Sequence, residues 1–190
     1  MAAKSISIRP IRPDDIDAIL TAHNAWYSYE DEYLERVTSP IWCLTEETLM
    51  DYIRQRETER SSETRTYAIE YVQEVEEDGE TIEVPWICGG FSYELQDCIY
   101  GFLFISINPA VDATEVIGAI AQFMKGKINK GGQRNEVRLW LRDCPQERLE
   151  IAVPAWQRAG FKFALHQDWF GDMDGWLGVL KKKQSTSVDD

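Results

Sequence analysis

The stretch Gly101 to Phe123, GFLFISINPAVDATEVIGAIAQF, joins an apolar run to a helical pattern through Asn108-Pro109. A strand feeding a helix start can hold a phosphate, because the first helical N–H groups lack partners and sit at the positive end of the dipole. The residues placed to present such groups are Thr114, Val116, Ile117 and Gly118. Two features oppose that chemistry. From Ala110 onward the turn has no glycine before Gly118, so little lets a backbone come close to a ligand. Asp112-Ala113-Thr114-Glu115 also reads as a capping box, with Asp112 accepting from Glu115 N–H and Glu115 reaching back. Val111 and Val116 have the spacing of a hydrophobic staple beside it. Two carboxylates would repel an incoming diphosphate. Lys125 and Lys127 could reach it only from further along the helix, and Lys130 is expected in the loop beyond.

The acid–base candidates are few. Glu94 and Asp97, with Tyr93, flank a turn before the apolar run, where a carboxylate could act as a general base through a water. The same positions suit plain surface residues. Tyr100 is a candidate acid, and equally an aromatic packed in a sheet. Cys144 follows an alternating segment directly. As a nucleophile it needs a lowered pKa, which a helix start favours and Asp143 opposes; a small helix-cap residue is the other reading. His166 is of the side-chain type suited to acid–base work near neutrality but lies in an apolar segment, where it reads as a strand residue or a base.

The rest of the composition narrows the classes. At 190 residues, 44% of them hydrophobic, the chain suits one domain with a real core. We expect that domain to span 1–183, with 184–190 as a tail. No apolar run reaches the ~20 residues of a membrane span, and the start lacks a signal-peptide pattern. The expected location is cytoplasmic. Cys43, Cys88, Cys98 and Cys144 form no CxxC pair and only two histidines are present, which points to free thiols rather than a zinc site. The net charge of −13 disfavours nucleic acid and suits a cationic partner or an amine, although solubility alone explains it too. Six acids and no base lie in EVEEDGETIE, residues 74–83.

Periodicity supplies the elements that must position these residues. SISIRPI (5–11) reads as a strand. Pro13-Asp14 opens a helix with Ile16, Ile19, Leu20, His23, Trp26 and Tyr27 on one stripe. Thr45 caps a second helix, with Leu44 and Leu49 as its staple. Strands are expected at 65–75, 81–95 and 98–109, turned at Asp78-Gly79 and Gln96-Asp97. Gly89-Gly90 inside a strand predicts a bulge or a close backbone approach. A helix over about 112–128 has Val116, Ile120, Phe123, Met124 and Ile128 on its apolar stripe. NEVRLWLRD (135–143) alternates as a strand. A helix entered at Pro145 should kink or restart at Pro154, and two strands close the chain. Trp140, Trp156, Trp169 and Trp176 belong to this second half, as core or as the wall of a cleft. The order β-α-α-β-β-β-α-β-α-β-β describes an α/β (α+β) chain with a mixed, mostly antiparallel sheet.

This order resembles the GNAT superfamily, the GCN5-related N-acetyltransferases, over nearly the whole chain. Ile8-Arg9-Pro10-Ile11-Arg12-Pro13-Asp14-Asp15 is similar to the family's opening strand and helix start. Ile107-Asn108-Pro109 resembles the V-x-P that ends its fourth strand. Ala152 and Trp156-Gln157-Arg158-Ala159-Gly160-Phe161 resemble the late signature A-x-x-x-Y-E-K-x-G-F. The resemblance implies a single-domain fold whose fourth and fifth strands splay around acetyl-CoA or another acyl-CoA. It implies pantetheine along Phe104 to Ile107, hence contacts to Ile105, Ser106 and Ile107, with the pyrophosphate on the next helix start. It further implies a general base, and an acid at the position held here by Trp156. The reaction implied is acyl transfer to an amine borne by a small molecule or protein. The chain departs from the pattern where the chemistry would be done. The pyrophosphate turn R/Q-x-x-G-x-G/A is degenerate, and Leu149 and Trp156 stand where the family often has Asn and Tyr. Indole donates a hydrogen bond but is no proton-transfer acid at neutral pH. The other reading is therefore a GNAT-like module that binds a partner without catalysis.

Overall fold

The computed structural model describes residues 5–27, 44–58, 64–77, 80–130, 135–141, 146–166 and 175–182. The strands are β1 (Ile6–Pro10), β2 (Arg65–Glu77), β3 (Glu80–Gln96), β4 (Ile99–Ile107), β5 (Glu136–Leu141), β6 (Lys162–His166) and β7 (Gly175–Lys181). The helices are α1 (Ile16–Tyr27), α2 (Glu46–Thr58), α3 (Ala113–Lys130) and α4 (Gln146–Arg158), with a 3₁₀ turn at Pro13–Asp15 before α1. The seven strands form one sheet in the order β1-β2-β3-β4-β5-β7-β6. Every pairing is antiparallel except that of β4 with β5. This is the expected order of elements in one α/β domain.

Each face of the sheet carries a hydrophobic cluster. Ile16 and Ile19 of α1 and Leu49 and Ile53 of α2 pack with Ala68 and Phe104 on one face. The other cluster joins Val116, Ile117, Ile120 and Met124 of α3 and Ala152 and Trp156 of α4 to Phe91, Ile105 and Ile107. The 3.6-residue stripe of α3 is thus buried along its length, while polar residues such as Asp112, Glu115 and Gln122 stay exposed.

The opening motif acts as a clamp. Both terminal guanidinium nitrogens of Arg9 donate to the Asp15 carboxylate, at 2.7 and 2.8 Å, and Arg9 Nε donates to Glu70 at 3.3 Å. Asp15 also accepts from Arg12 N–H at 2.7 Å, which fixes the turn into α1. Burial alone would raise the Asp15 pKa; the bonds from Arg9 and Arg12 outweigh it, and the net shift is downward. Thr45 caps α2 by accepting from Thr48 N–H at 3.2 Å. Leu44 packs on the cluster containing Leu49, as the staple requires.

Some details differ from the sequence reading. The β3–β4 turn falls on Asp97-Cys98, both at positive φ (46° and 68°), one residue later than Gln96-Asp97. The register aligns Leu95 with Tyr100, so burying Tyr100 on the core face sets the turn. Helix α4 runs through Pro154 without a break. Val153 and Pro154 are not core residues, whereas Ala152, Ala155 and Trp156 on the buried side hold the helix on course. The hairpin at Asp78-Gly79 lies outside the described residues, but Glu77 and Glu80 on either side face each other in register. The tail, Pro145 and the 171–174 part of the last turn also lie outside them.

Candidate functional site

The site is created by an interrupted pairing. Strand β4 meets β5 only through Ile99↔Glu136, Tyr100↔Val137 and Gly101↔Arg138. Beyond Gly101 the strands part, and β5 continues from Leu139 to Leu141 along β7 alone. Asn108 N–H donates to Cys88 O of β3 at 2.7 Å. Backbone groups alternate sides along a strand, so Ser106 and Phe104 also turn theirs to β3, and Ile107 and Ile105 turn theirs toward the opening. That edge can receive an extended ligand as an added strand.

Two bulges shape the approach. Ser92 pairs with Phe104 and Tyr93 with Phe102, which leaves Leu103 as the extra residue of β4, partly exposed where the strands diverge. On the other side of β3, Ile69 pairs with Gly89 and Glu70 with Ile87, leaving Cys88 extra. Of the two alternatives expected for Gly89-Gly90 the close approach holds at the glycines, and the bulge falls on the neighbouring Cys88. A Cβ on Gly89 would lie 2.1 Å from Ser106 O, and one on Gly90 2.9 Å from Ile19 Cδ1.

Glu94 stands opposite Gly101, the last β4 residue that also pairs with β5, so it lies at the apex of the opening. Its carboxylate accepts from Gln96 Nε2 at 2.9 Å. Burial, and then the nearby Glu94 charge, raise the pKa of Tyr52 on α2. Tyr100 is buried, its ring edge-on to Tyr93 at 5.2 Å. Burial first, and then the hydrogen bond with Tyr67, raise the Tyr93 pKa, so that phenol stays protonated. Trp156 is 1% exposed, packed between Phe102 at 5.8 Å and Phe161 at 4.9 Å. Cys144 lies outside the described residues. His166 belongs to β6 at its pairing with Gly175. Burial pushes the Cys88 thiol up to about 12, which makes it an inert core group.

The start of α3 is capped from within, as the sequence implied, but by a shifted bond. Asp112 Oδ1 accepts from Thr114 N–H at 2.8 Å rather than from Glu115. Glu115 and Val116 N–H both donate to Asp112 O, at 3.1 and 3.2 Å. Val111 and Val116 share the core, as a staple would have them. The side chains of Val116 and Ile117 are fully buried, so a ligand could meet these residues only through backbone atoms. Gly118 is exposed, and a Cβ there would meet nothing within 4 Å. Its lack of a side chain serves no close approach within the chain.

Two further residues of the site carry no local signal in the sequence. Arg158, near the end of α4, reaches the start of α3 and donates to Thr114 Oγ1 at 3.4 Å. It places a cation where the turn itself has none, and the 44-residue separation hides it from a sequence reading. His23, which the α1 stripe marks only as an inward-facing residue, is buried with Nδ1 at 2.8 Å from Ser106 Oγ. Burial lowers its pKa to about 4, so the ring is neutral at pH 7. The Ser106 side chain therefore faces α1, away from the edge that Ile105 and Ile107 present. Among the described residues no group of His, Cys, Asp and Glu could hold a metal, and no helix is long and apolar enough to cross a membrane.

Solved structures share this arrangement of strands and helices. Over 94% of the chain it is similar to 99% of the PaiA N-acetyltransferase of Thermoplasma acidophilum in complex with coenzyme A, at 16% identity and a TM-score of 0.63. The fold is that of the GNAT acetyltransferases. The ribosomal-protein-S18-alanine N-acetyltransferase of Escherichia coli matches 97% of the chain with 98% of its own, at 10% identity and a TM-score of 0.59. The spermidine N-acetyltransferase of Vibrio cholerae in complex with CoA and spermine matches 93% with 95%, at 13% identity and a TM-score of 0.58. No family model and no curated protein matches the sequence. At these identities the GNAT likeness is one of fold, so activity has to be argued from the residues in place.

Proposed function

We propose that the protein binds an acyl-CoA along the open edge of β4 and transfers the acyl group to an amine. The observation that carries this is the parting of β4 from β5 after Gly101, which leaves the Ile105–Ile107 edge facing a gap. The pantetheine amides would pair with that edge, with the thioester near the Leu103 bulge. At the start of α3 we assign the diphosphate to Ala113 N–H, a donor that the Asp112 cap leaves over, and to the Arg158 guanidinium. Arg158 supplies the charge that offsets Asp112 and Glu115.

In the reaction the amine nitrogen attacks the thioester carbonyl carbon and the C–S bond breaks. The amine loses a proton and the departing thiolate gains one. Glu94, at the apex of the gap, is the carboxylate we assign to the first transfer, through a water. Tyr100 is the group we assign to the second, since the Trp156 indole is no proton-transfer acid at neutral pH. The PaiA and spermidine acetyltransferases, whose structures hold CoA, support the cofactor class.

A second reading rests on α3 and α4. The self-capped helix start and the packed Trp156 suit a module that binds without catalysis. Thermal shift with CoA and acetyl-CoA separates the possibilities. A ligand at a hundred times its Kd stabilises by about 2.7 kcal/mol. Arg158→Ala should abolish most of the shift without moving the Tm of the free protein. No shift at about 1 mM CoA refutes CoA binding at this edge. A shift without thiol release from acetyl-CoA plus amine would assign the module.

A further inference from the structure

The β2–β3 ribbon outruns its neighbours. Strand β1 pairs with β2 only as far as Tyr71, and Ser5 O accepts the Val72 N–H beyond it. Strand β4 reaches β3 only at Gly89. The rungs Gln73↔Val84, Glu74↔Glu83, Val75↔Ile82, Glu76↔Thr81 and Glu77↔Glu80 therefore project with both edges unpaired by any described strand. Every residue on these rungs is exposed except the half-buried Ile82.

The ribbon has two unlike faces, because side chains alternate along each strand. One face carries Val75, Ile82 and Val84 together with Gln73, has Glu77 and Glu80 at its tip, and continues the face bearing Tyr71 and Trp86. Val75 and Val84 are each 38% exposed. The other face carries Glu74, Glu76 and Glu83. Glu74 stands directly opposite Glu83 on this face, and Glu77 opposite Glu80 at the tip of the first, cross-strand pairs that repel each other. No Lys or Arg lies on these rungs to relieve the repulsion. A second copy is a poor occupant, since it would bring the same glutamates.

We propose that this ribbon is a docking surface for an extended segment of a partner protein in which basic and apolar side chains alternate. The period of two matches both faces at once. Apolar side chains cover Val75, Ile82 and Val84, while basic ones meet Glu74, Glu76 and Glu83. The proposal uses none of the residues assigned to acyl-CoA and stands or falls independently of acyl-CoA binding.

The test uses the full chain and a fluorescent peptide of about ten residues alternating Lys and Val, long enough at ~3.4 Å per residue to cover the rungs. Anisotropy should show binding that weakens about tenfold or more at high salt. A Lys/Ser peptide should bind at least about tenfold more weakly, and a Glu/Val peptide not at all. The triple variant E74Q/E76Q/E83Q and the single variant Val75→Ser should each lose about tenfold or more in affinity. A control triple of equal charge change, D14N/D17N/E147Q, should lose little. Circular dichroism confirms that the variants fold, and hydrogen exchange on the native chain should show the peptide protecting 73–77 and 80–84. Equal losses in both triples, no effect of Val75→Ser, or no protection of the ribbon would overturn the proposal. So would a homodimer in sedimentation that Val75→Ser dissolves.

Discussion

Replacing Gly89 by alanine tests the packing on which the β4 edge depends. An added Cβ would lie 2.1 Å from Ser106 O, 3.0 Å from Ser106 C and 3.2 Å from Ile107 Cα, whereas ordinary contact begins near 3.4 Å. All three atoms are backbone, so no side chain can swing away. The two strands must separate by about 1 Å at this rung, on the scale at which close-packed interiors lose contacts. Ile107 is fully buried, and Ser106 is tied to His23, so the shift disturbs both clusters. Overpacking costs about 1–3 kcal/mol and sometimes more; the lower unfolded-state entropy of alanine returns about 0.4–1 kcal/mol. Because the clash is with backbone, we expect a net loss of about 2–4 kcal/mol, or a Tm lower by about 5–12 °C for a domain of this size. Gly90→Ala should cost less, since the first atom met is the end of the Ile19 side chain. Gly101→Ala, with nothing within 4 Å of its Cβ, should be neutral or slightly stabilising. The assay is urea and thermal denaturation of the three variants. A Gly89→Ala protein with the wild-type Tm, or the reverse ranking, would refute this account of the β3–β4 contact.

The His23 ring supplies a pH signature. Its pKa is about 4 folded against 6.5 unfolded, so the unfolded chain binds the extra proton in that window, and stability is full above it and falls as pH drops from 6.5 toward 4. The total is roughly 3 kcal/mol, and His23→Gln should flatten this limb of the stability–pH curve. Asp15 acts at lower pH. Its depressed folded pKa gives stability that is present above the unfolded value of 3.8 and lost as pH falls below it. Asp15→Asn should cost about 1.5–3 kcal/mol near neutrality by weakening the charge-assisted bonds from Arg9, which keeps Glu70, and should remove that acid limb. Gly118→Ala should stabilise by about 0.5–1 kcal/mol, because the site is an exposed helix interior, and should leave any CoA-induced thermal shift intact. Loss of the shift in Gly118→Ala would instead show that the glycine serves a ligand.

What can be read in the sequence is local. The order of elements follows from periodicity, and the caps at Thr45 and Asp112 follow from residue type and spacing. Gly89-Gly90 announces a tight place, but not that Ser106 O is the atom approaching it. The identity of that atom depends on register across β3 and β4, which no single segment encodes. The β3–β4 turn sits one residue from its expected place because Gln96-Asp97 and Asp97-Cys98 differ little in turn chemistry, while burial of Tyr100 decides between them. Pro154 does not break its helix, since local preference for a break yields to the packing of Ala155 and Trp156. His23 with Ser106, and Arg158 with Thr114, are contacts between distant segments, and only the fold brings them together.

These placements bear on how the chain's departures from the GNAT pattern are to be understood. Arg9 and Asp15, which match the family's opening motif, hold the sheet to α1. The residues that depart from the pattern, from Val111 to Gly118 and at Trp156, gather where CoA would lie. A chain that had lost a reason to keep strands apart would gain by closing β4 against β5, since unpaired strand edges are costly. Here the parting persists. Strand β4 is secured on its other side by the Gly89 contact and by the His23–Ser106 bond, so it holds its course without β5. The open edge is thus a supported feature. On the proposed acyl-CoA reading, what the α3 start lacks in glycine is partly offset by Arg158 of α4. The Arg158 side chain consequently carries more weight in deciding between an acyltransferase and a silent module than any residue of the turn itself.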